Sequence, residues 1–266
     1  MSAATTTRFL SARNLLWIVI AAAFGLAILI VLAAFADNRM NLGAKHASAL
    51  SQGFFLGSDQ LGRSLWQQLC RAFLITVVLG GLASLVSTTI GFLLGLGSLS
   101  RNPVLRGILT VIIDLKSGLP TFFVALLLGA IAGQTPLFLF SVLCFVGVEF
   151  SARATRDNAS LFADGTMFRA LIKEGVPRNR RLAHILLFVS PLLLPLWALV
   201  FLEAILVESG LSFVGLGLRP ELSSLGVLIR EYYRIMLENP WPLALATSTL
   251  GAACIALFHL ARSRNG

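Results

Sequence analysis

The sequence predicts an all-α integral membrane protein with six transmembrane helices, and three observations carry that prediction. Hydrophobic residues make up 57% of the 266 and charged residues only 12%, against roughly 45–50% and about 25% in an ordinary soluble domain. Mean hydropathy is +0.86, which is more apolar surface than one water-soluble core of this length can cover. The apolar residues also fall in long runs, and a helix needs about 20 of them to cross about 30 Å of hydrocarbon. The same figures exclude a disordered chain. The three cysteines give neither a disulfide scaffold nor a metal-ligand spacing.

The runs place spans at 15–35, 73–97, 108–132, 137–152, 184–206 and 241–260. The first is preceded by Arg8 and Arg13 and ends at Ala34-Phe35-Ala36. It is longer than the roughly 7–15 residues of a signal-peptide core, so it reads as a retained anchor. Orientation follows from the cations. With the N-terminus inside, thirteen Arg and Lys fall in cytoplasmic segments and seven in external ones. Both termini are therefore expected in the cytoplasm. The chain then divides into a cytoplasmic tail, 1–14, and one membrane domain, 15–266. External segments cover 36–72 and 207–240, and a cytoplasmic loop covers 153–183. The net charge of +9 comes from cations spread between apolar runs, as expected beside membrane lipid and not for a soluble nucleic-acid-binding face. No internal repeat of the kind found in secondary carriers is visible.

Within the cytoplasmic loop, Asp164 is placed to cap a short helix and Gly175 to close it. Met167, Phe168, Leu171 and Ile172 share one side of such a helix, and Arg169 and Lys173 point elsewhere. Pro177 suits the first turn of a second helix carrying Arg178, Arg180 and Arg181. A helix this short is marginal alone in water. It needs either a partner's groove or its own bundle to lean on; a basic loop gripping anionic headgroups is the plainer alternative.

The stretch from Ser151 to Gly175, SARATRDNASLFADGTMFRALIKEG, resembles a segment of permease subunits in bacterial ABC importers of the dipeptide, oligopeptide and nickel group. That segment runs from Y-A-R-x-x-R to the E-A-A-x-x-x-G signature. Arg153, Arg156, Ala170 and Gly175 match, while Arg169 stands at the acidic position and Leu171 at the second alanine. The His-Ile that follows comes one residue early, at His184-Ile185. Leu56-Gly57-Ser58-Asp59-Gln60-Leu61-Gly62-Arg63 resembles the L-G-T-D-x-L-G-R-D motif of the group's second permease, with Ser64 at the final Asp. Asp114 and Pro120 have the spacing of its D-x-x-x-x-F-P, with Leu119 for Phe. Glu208 to Gly217 resembles E-x-x-L-S-F-L-G-L-G, followed by Pro220 and Gly226. The likeness covers nearly all of residues 56–260.

The resemblance implies a type I ABC importer permease in the bacterial inner membrane, with coupling helices between spans four and five. It implies a second homologous permease, two ATPase subunits holding ATP and Mg, and an external substrate-binding protein. No cofactor is expected on this chain. The coupling role falls on Met167, Phe168, Arg169, Ala170, Leu171, Gly175 and Pro177, with Arg153 and Arg156 as the motif before them. Ser58, Asp59, Gly62, Arg63, Ser212, Phe213, Gly215 and Gly217 are implied in an outer gate or a binding-protein platform. The group moves peptides, nickel or metal chelates.

The residues themselves leave plainer roles open. Ser58 or Asp59 can cap an interfacial helix bearing Leu61, Leu65, Trp66 and Leu69, a simple lead-in to the second span. Gly210, Gly215 and Gly217 suit a re-entrant loop. Ser223 or Ser224 can cap a following helix that packs on a partner. Ionisable residues inside spans are costly and so point to function. Asp114, Glu203 and Glu208 are therefore candidates for the path, although Asp114 can simply pair with Arg106 or another cytoplasmic arginine. No enzyme is expected: His46, His184 and His259 are scattered, and H-E-x-x-H and G-x-S-x-G do not occur. No lysine completes a phosphate-cradling loop, so any ATP is handled by another chain. A proton-coupled carrier, or a membrane protein outside the ABC class, is the rival reading.

Overall fold

The computed structural model describes residue 31 and residues 40–51, 53–100, 102–132 and 135–262. The expected tail 1–14 and the first expected span, 15–35, lie outside the described residues except Val31, which is helical. By internal contacts the chain forms two units, 1–74 and 75–266.

Nine α-helices follow one another in the described residues: α1 (Leu65–Gly97), α2 (Pro103–Ser117), α3 (Thr121–Ala132), α4 (Pro136–Asp164), α5 (Thr166–Lys173), α6 (Arg178–Val189), α7 (Leu193–Val214), α8 (Leu225–Tyr233) and α9 (Trp241–Arg262). One 3₁₀ turn, Ser190–Leu192, joins α6 to α7. Four helical stretches there are long and apolar enough to cross a membrane: α1, α4, Ala183–Val214 and α9.

The segment expected as the third span is not one straight helix. α2 and α3 meet at 88° across Gly118-Leu119-Pro120. Pro120 offers no N–H and bars Leu119 from the helical region, so the ladder stops there. The Gly118 N–H closes α2 on Leu115 O, and Val124 N–H opens α3 on Pro120 O. The pair counts as a fifth span if the two halves cross together. α2 begins on a firm cap, with Asn102 Oδ1 accepting from Val104 N at 3.0 Å and Pro103 in the first turn.

Two expected loops are shorter than the hydropathy suggested. α4 continues twelve residues past 152 to Asp164, and α7 continues past 206 to Val214. From Ser151 onward α4 is polar in sequence but amphipathic in space, burying Ser151, Ala152, Thr155, Ala159 and Phe162. Of these, Ser151, Ala152 and Thr155 pack on Gly91 and Gly95 of α1. A Cβ on Gly95 would stand 2.5 Å from Ala152 O and 2.7 Å from Thr155 Cβ, and one on Gly91 would collide with Ser151 Oγ. This is the small-xxx-small contact by which membrane helices approach closely. Within the second unit, α7 packs on α4, α8 and α9. The core there joins Ala83, Ala125, Leu139, Leu143, Val207, Leu211 and Val227. α9 buries little of its apolar surface, leaving Ile255 and Phe258 exposed, which is a disposition for lipid or another chain.

Candidate functional site

α5 follows α4 after a single residue, Gly165. Asp164 is not its cap, contrary to the expectation; it is the last residue of α4, and Gly165 takes the cap position. The apolar side predicted for α5 divides in two. Phe168 turns inward and meets Phe162 edge-on at 5.9 Å between ring centres, beside a core of Ala159, Ile185 and Val189. Met167, Arg169 and Ala170 face outward, Met167 being 61% exposed, while Leu171 is intermediate. Phe168 thus attaches α5 to its own spans. Gly175 takes φ +72°, and Val176 N–H bonds Leu171 O at 3.0 Å, closing the helix with a left-handed residue. Pro177 caps α6, whose Arg181 N–H returns to Pro177 O at 3.1 Å.

Arg153 and Arg156, on α4, both reach Asp114 at the end of α2. Arg156 Nη1 is 3.1 Å and Arg153 Nη2 3.9 Å from Asp114 Oδ1. The carboxylate is held by the arginine motif, not by Arg106. Two residues on, Lys116 Nζ lies 3.2 Å from Glu149 Oε2, donates to Val146 O and sits 5.4 Å above the Phe145 ring. Glu203 of α7 faces this pair and bonds the Thr121 hydroxyl. Lys116 and Glu149 line a largely apolar cavity of about 860 Å³ with Ile90, Ile113 and Phe145. Three ionisable groups thus meet beside the α2–α3 break.

Glu208 stands elsewhere. It is fully buried in α7 and surrounded by hydroxyls, with Ser212 Oγ at 2.7 Å, Ser209 Oγ at 3.4 Å, and Ser224 and Thr76 also bonding it. It presents nothing to a passing solute. Ser212 is equally buried, and Gly217 lies so close that a Cβ there would meet Ser212 Oγ. Gly215, at φ +96°, ends α7 by returning its N–H to Leu211 O. Phe213 and Val214 are the exposed members of the motif, and Phe213 packs edge-on against Tyr233.

In the first unit, the expected interfacial helix from Ser58 does not form; residues 58–64 are a tight turn wound about Asp59. Asp59 Oδ1 accepts from Leu61 N at 2.8 Å and Arg63 N at 2.9 Å, while Oδ2 accepts from Arg63 Nε at 2.8 Å and Gln68 Nε2 at 3.0 Å. Ser58 Oγ donates to Ala44 O and accepts from Ala47 N. Gly62, at φ +71°, lies against the Asn41 backbone. An aspartate able to gather four donors prefers a turn to a cap. Ser58, Asp59 and Gly62 therefore shape this segment from within, and Arg63 reaches its surface.

Long apolar helices, a broken pair at mid-chain and a short helix slung between two spans define a membrane-embedded permease subunit. Residues 87–263 match the family described as the binding-protein-dependent transport system inner membrane component, and the chain belongs to that family. It is similar to the oligopeptide transport system permease protein OppC of Haemophilus influenzae, 28% identical over 80% of this chain and 68% of that one. OppC of Mycobacterium tuberculosis strain H37Rv is also 28% identical, over 74% and 68%. The di/tripeptide transport system permease protein DppC of Pseudomonas aeruginosa is 27% identical, over 71% and 62%. Among solved structures, an amino acid ABC transporter crystallised with histidines matches with a TM-score of 0.56 at 13% identity, covering 73% of this chain and 91% of that one. That likeness is one of fold.

Proposed function

We propose that the chain forms half of the translocation path of an ATP-driven importer of peptides or a related small solute, with α5 as the element a separate ATPase grips. The observation that carries this reading is the pair α4–α5. A continuous 29-residue helix ends on a short one whose Met167, Arg169 and Ala170 face outward while Phe168 ties it to the spans. The partners are a second homologous permease, two ATPase subunits that hold ATP and Mg, and an external binding protein. Six spans cross the inner membrane, the first from residues 15–35, and both termini are cytoplasmic. Closure of the ATPase dimer draws the docked helices together and opens the path outward; hydrolysis resets it. Peptide as the solute is supported by the relatives, which serve oligopeptide and di/tripeptide systems.

The test is α5 itself. A cysteine at Met167 is expected to cross-link to a co-purified ATPase in the assembled importer. Met167→Asp is expected to abolish both uptake and binding-protein-stimulated hydrolysis, because it puts a charge in an apolar groove. A Met167→Asp importer that moves a labelled tripeptide as the wild type does ends the reading.

Glu203 is the path candidate that the geometry favours over Asp114 and Glu208, whose carboxylates are already engaged. It adds a second acid beside the single cation Lys116, a surplus suited to a peptide's ammonium group. Losing a charge-assisted bond worth about 1.5–3 kcal/mol makes Glu203→Gln lower tripeptide uptake about tenfold or more. Uptake measured in proteoliposomes and found unchanged removes Glu203 from the path.

A further inference from the structure

Along α4, Glu149, Arg153 and Arg156 stand at i, i+4 and i+7 and share one side of the helix. That side meets the last turn of α2, where each charge finds its opposite. Arg156 and Arg153 take Asp114, and Glu149 takes Lys116. Arg153 Nη2 also donates to Ser117 Oγ at 2.9 Å. All of these contacts precede the Gly118-Leu119-Pro120 break, beyond which α3 departs at 88° to pack on α4 and α7.

We propose that this ionic clasp is a lever. Asp114 is a positioning residue that holds the α2–α3 elbow to the helix leading into α5, so that displacement of α5 moves α3. An uninterrupted helix carries displacement along its axis, whereas apolar contacts between helices permit sliding. Ion pairs fix register, because separating them by one turn breaks every bond at once. Their modest strength matters too. Asp114 and Arg153 are each about half exposed, and such pairs contribute about 0–1 kcal/mol to stability. The rest of the fold does not depend on the clasp, since Gly91, Gly95 and the apolar core join α1, α3, α4 and α7 without it. Lys116–Glu149 is the more buried pair, and removing one partner there would leave a buried charge. Asp114 is therefore the residue to change.

This inference rests on α5 being the gripped element, so the test monitors that contact separately. The complete importer, with ATPases and binding protein, is reconstituted in proteoliposomes carrying the Met167 cysteine reporter. Tripeptide uptake per ATP hydrolysed is measured for Asp114→Asn and Asp114→Glu. With the cross-link to the ATPase intact, Asp114→Asn is expected to lower uptake per ATP about five- to tenfold, the low end of a typical coupling between sites. Asp114→Glu keeps the charge and is expected to stay near the wild-type ratio. An unchanged ratio in Asp114→Asn overturns the lever. So does a loss of uptake that only parallels a loss of assembled complex, or an Asp114→Glu variant as uncoupled as the amide. Absence of the cross-link in the otherwise unaltered importer is a different failure: it refutes the docking of α5, and the lever falls with it.

Discussion

Gly95→Ala is expected to destabilise the permease, although alanine is the better helix former. In an open helical position the exchange gains about 0.8–1.0 kcal/mol. At Gly95 the new Cβ would stand 2.5 Å from Ala152 O and 2.7 Å from Thr155 Cβ. The first of these is backbone and cannot swing aside, so α1 and α4 must part. Overpacking of this kind costs about 1–3 kcal/mol, which outweighs the propensity gain. Gly95→Leu should leave little folded protein. The chain supplies its own controls: nothing lies within 4 Å of a Cβ added at Gly107 or Gly251, which are also helical. Alanine there should be neutral or slightly stabilising. Thermal unfolding of the detergent-solubilised complex, followed by size-exclusion fluorescence, measures all four variants. A Gly95→Ala complex that melts as high as Gly251→Ala would show that α1 and α4 do not approach as described.

That contact also shows where sequence reading stops. The apolar runs announce helices because hydrophobicity averaged over some twenty residues is a property of composition. α1, α4, the stretch ending in α7, and α9 all fall where those runs lie. The break at Gly118-Leu119-Pro120 vanishes in such an average, since Leu119 and its neighbours keep the mean high. Yet Pro120 with a glycine two residues before it is a local signal that was available. The extension of α4 to Asp164 was hidden for the opposite reason. Ser151, Arg153, Arg156 and Asp157 lower the mean, while the buried Ala152, Thr155 and Ala159 matter for being small, not greasy. Gly91 and Gly95 carried the matching spacing of four. Side-chain direction was least legible. Asp59 and Glu208 both looked like residues offered to a partner or a solute, and both are turned inward to bind the chain's own donors.

Glu208→Leu is expected to unfold the α7–α8 corner, whereas Glu208→Gln should largely spare it. Three of the four hydroxyls around the carboxylate also accept a backbone N–H. Thr76 Oγ1 takes Leu225 N at 3.0 Å, Ser224 Oγ takes Val227 N at 3.3 Å, and Ser212 Oγ takes Leu218 N at 3.3 Å. A hydroxyl has one hydrogen to give, and here those hydrogens converge on Glu208. The carboxylate is thus the common acceptor for three hydroxyls that satisfy the first turn of α8 and the loop before it. It also lies near the positive end of the α8 dipole, the favourable end for an acid. Leucine would leave those hydroxyl hydrogens buried without an acceptor, at about 1–3 kcal/mol for each group stranded. Glutamine keeps one acceptor oxygen, and its NH₂ can donate into a hydroxyl that turns. The expected order of complex yield and melting temperature is wild type, then Glu208→Gln, then Glu208→Leu well below. If Glu208 contacted solute instead, the two variants would fold alike and both lose uptake; equal melting of Gln and Leu with uptake abolished would reverse the assignment.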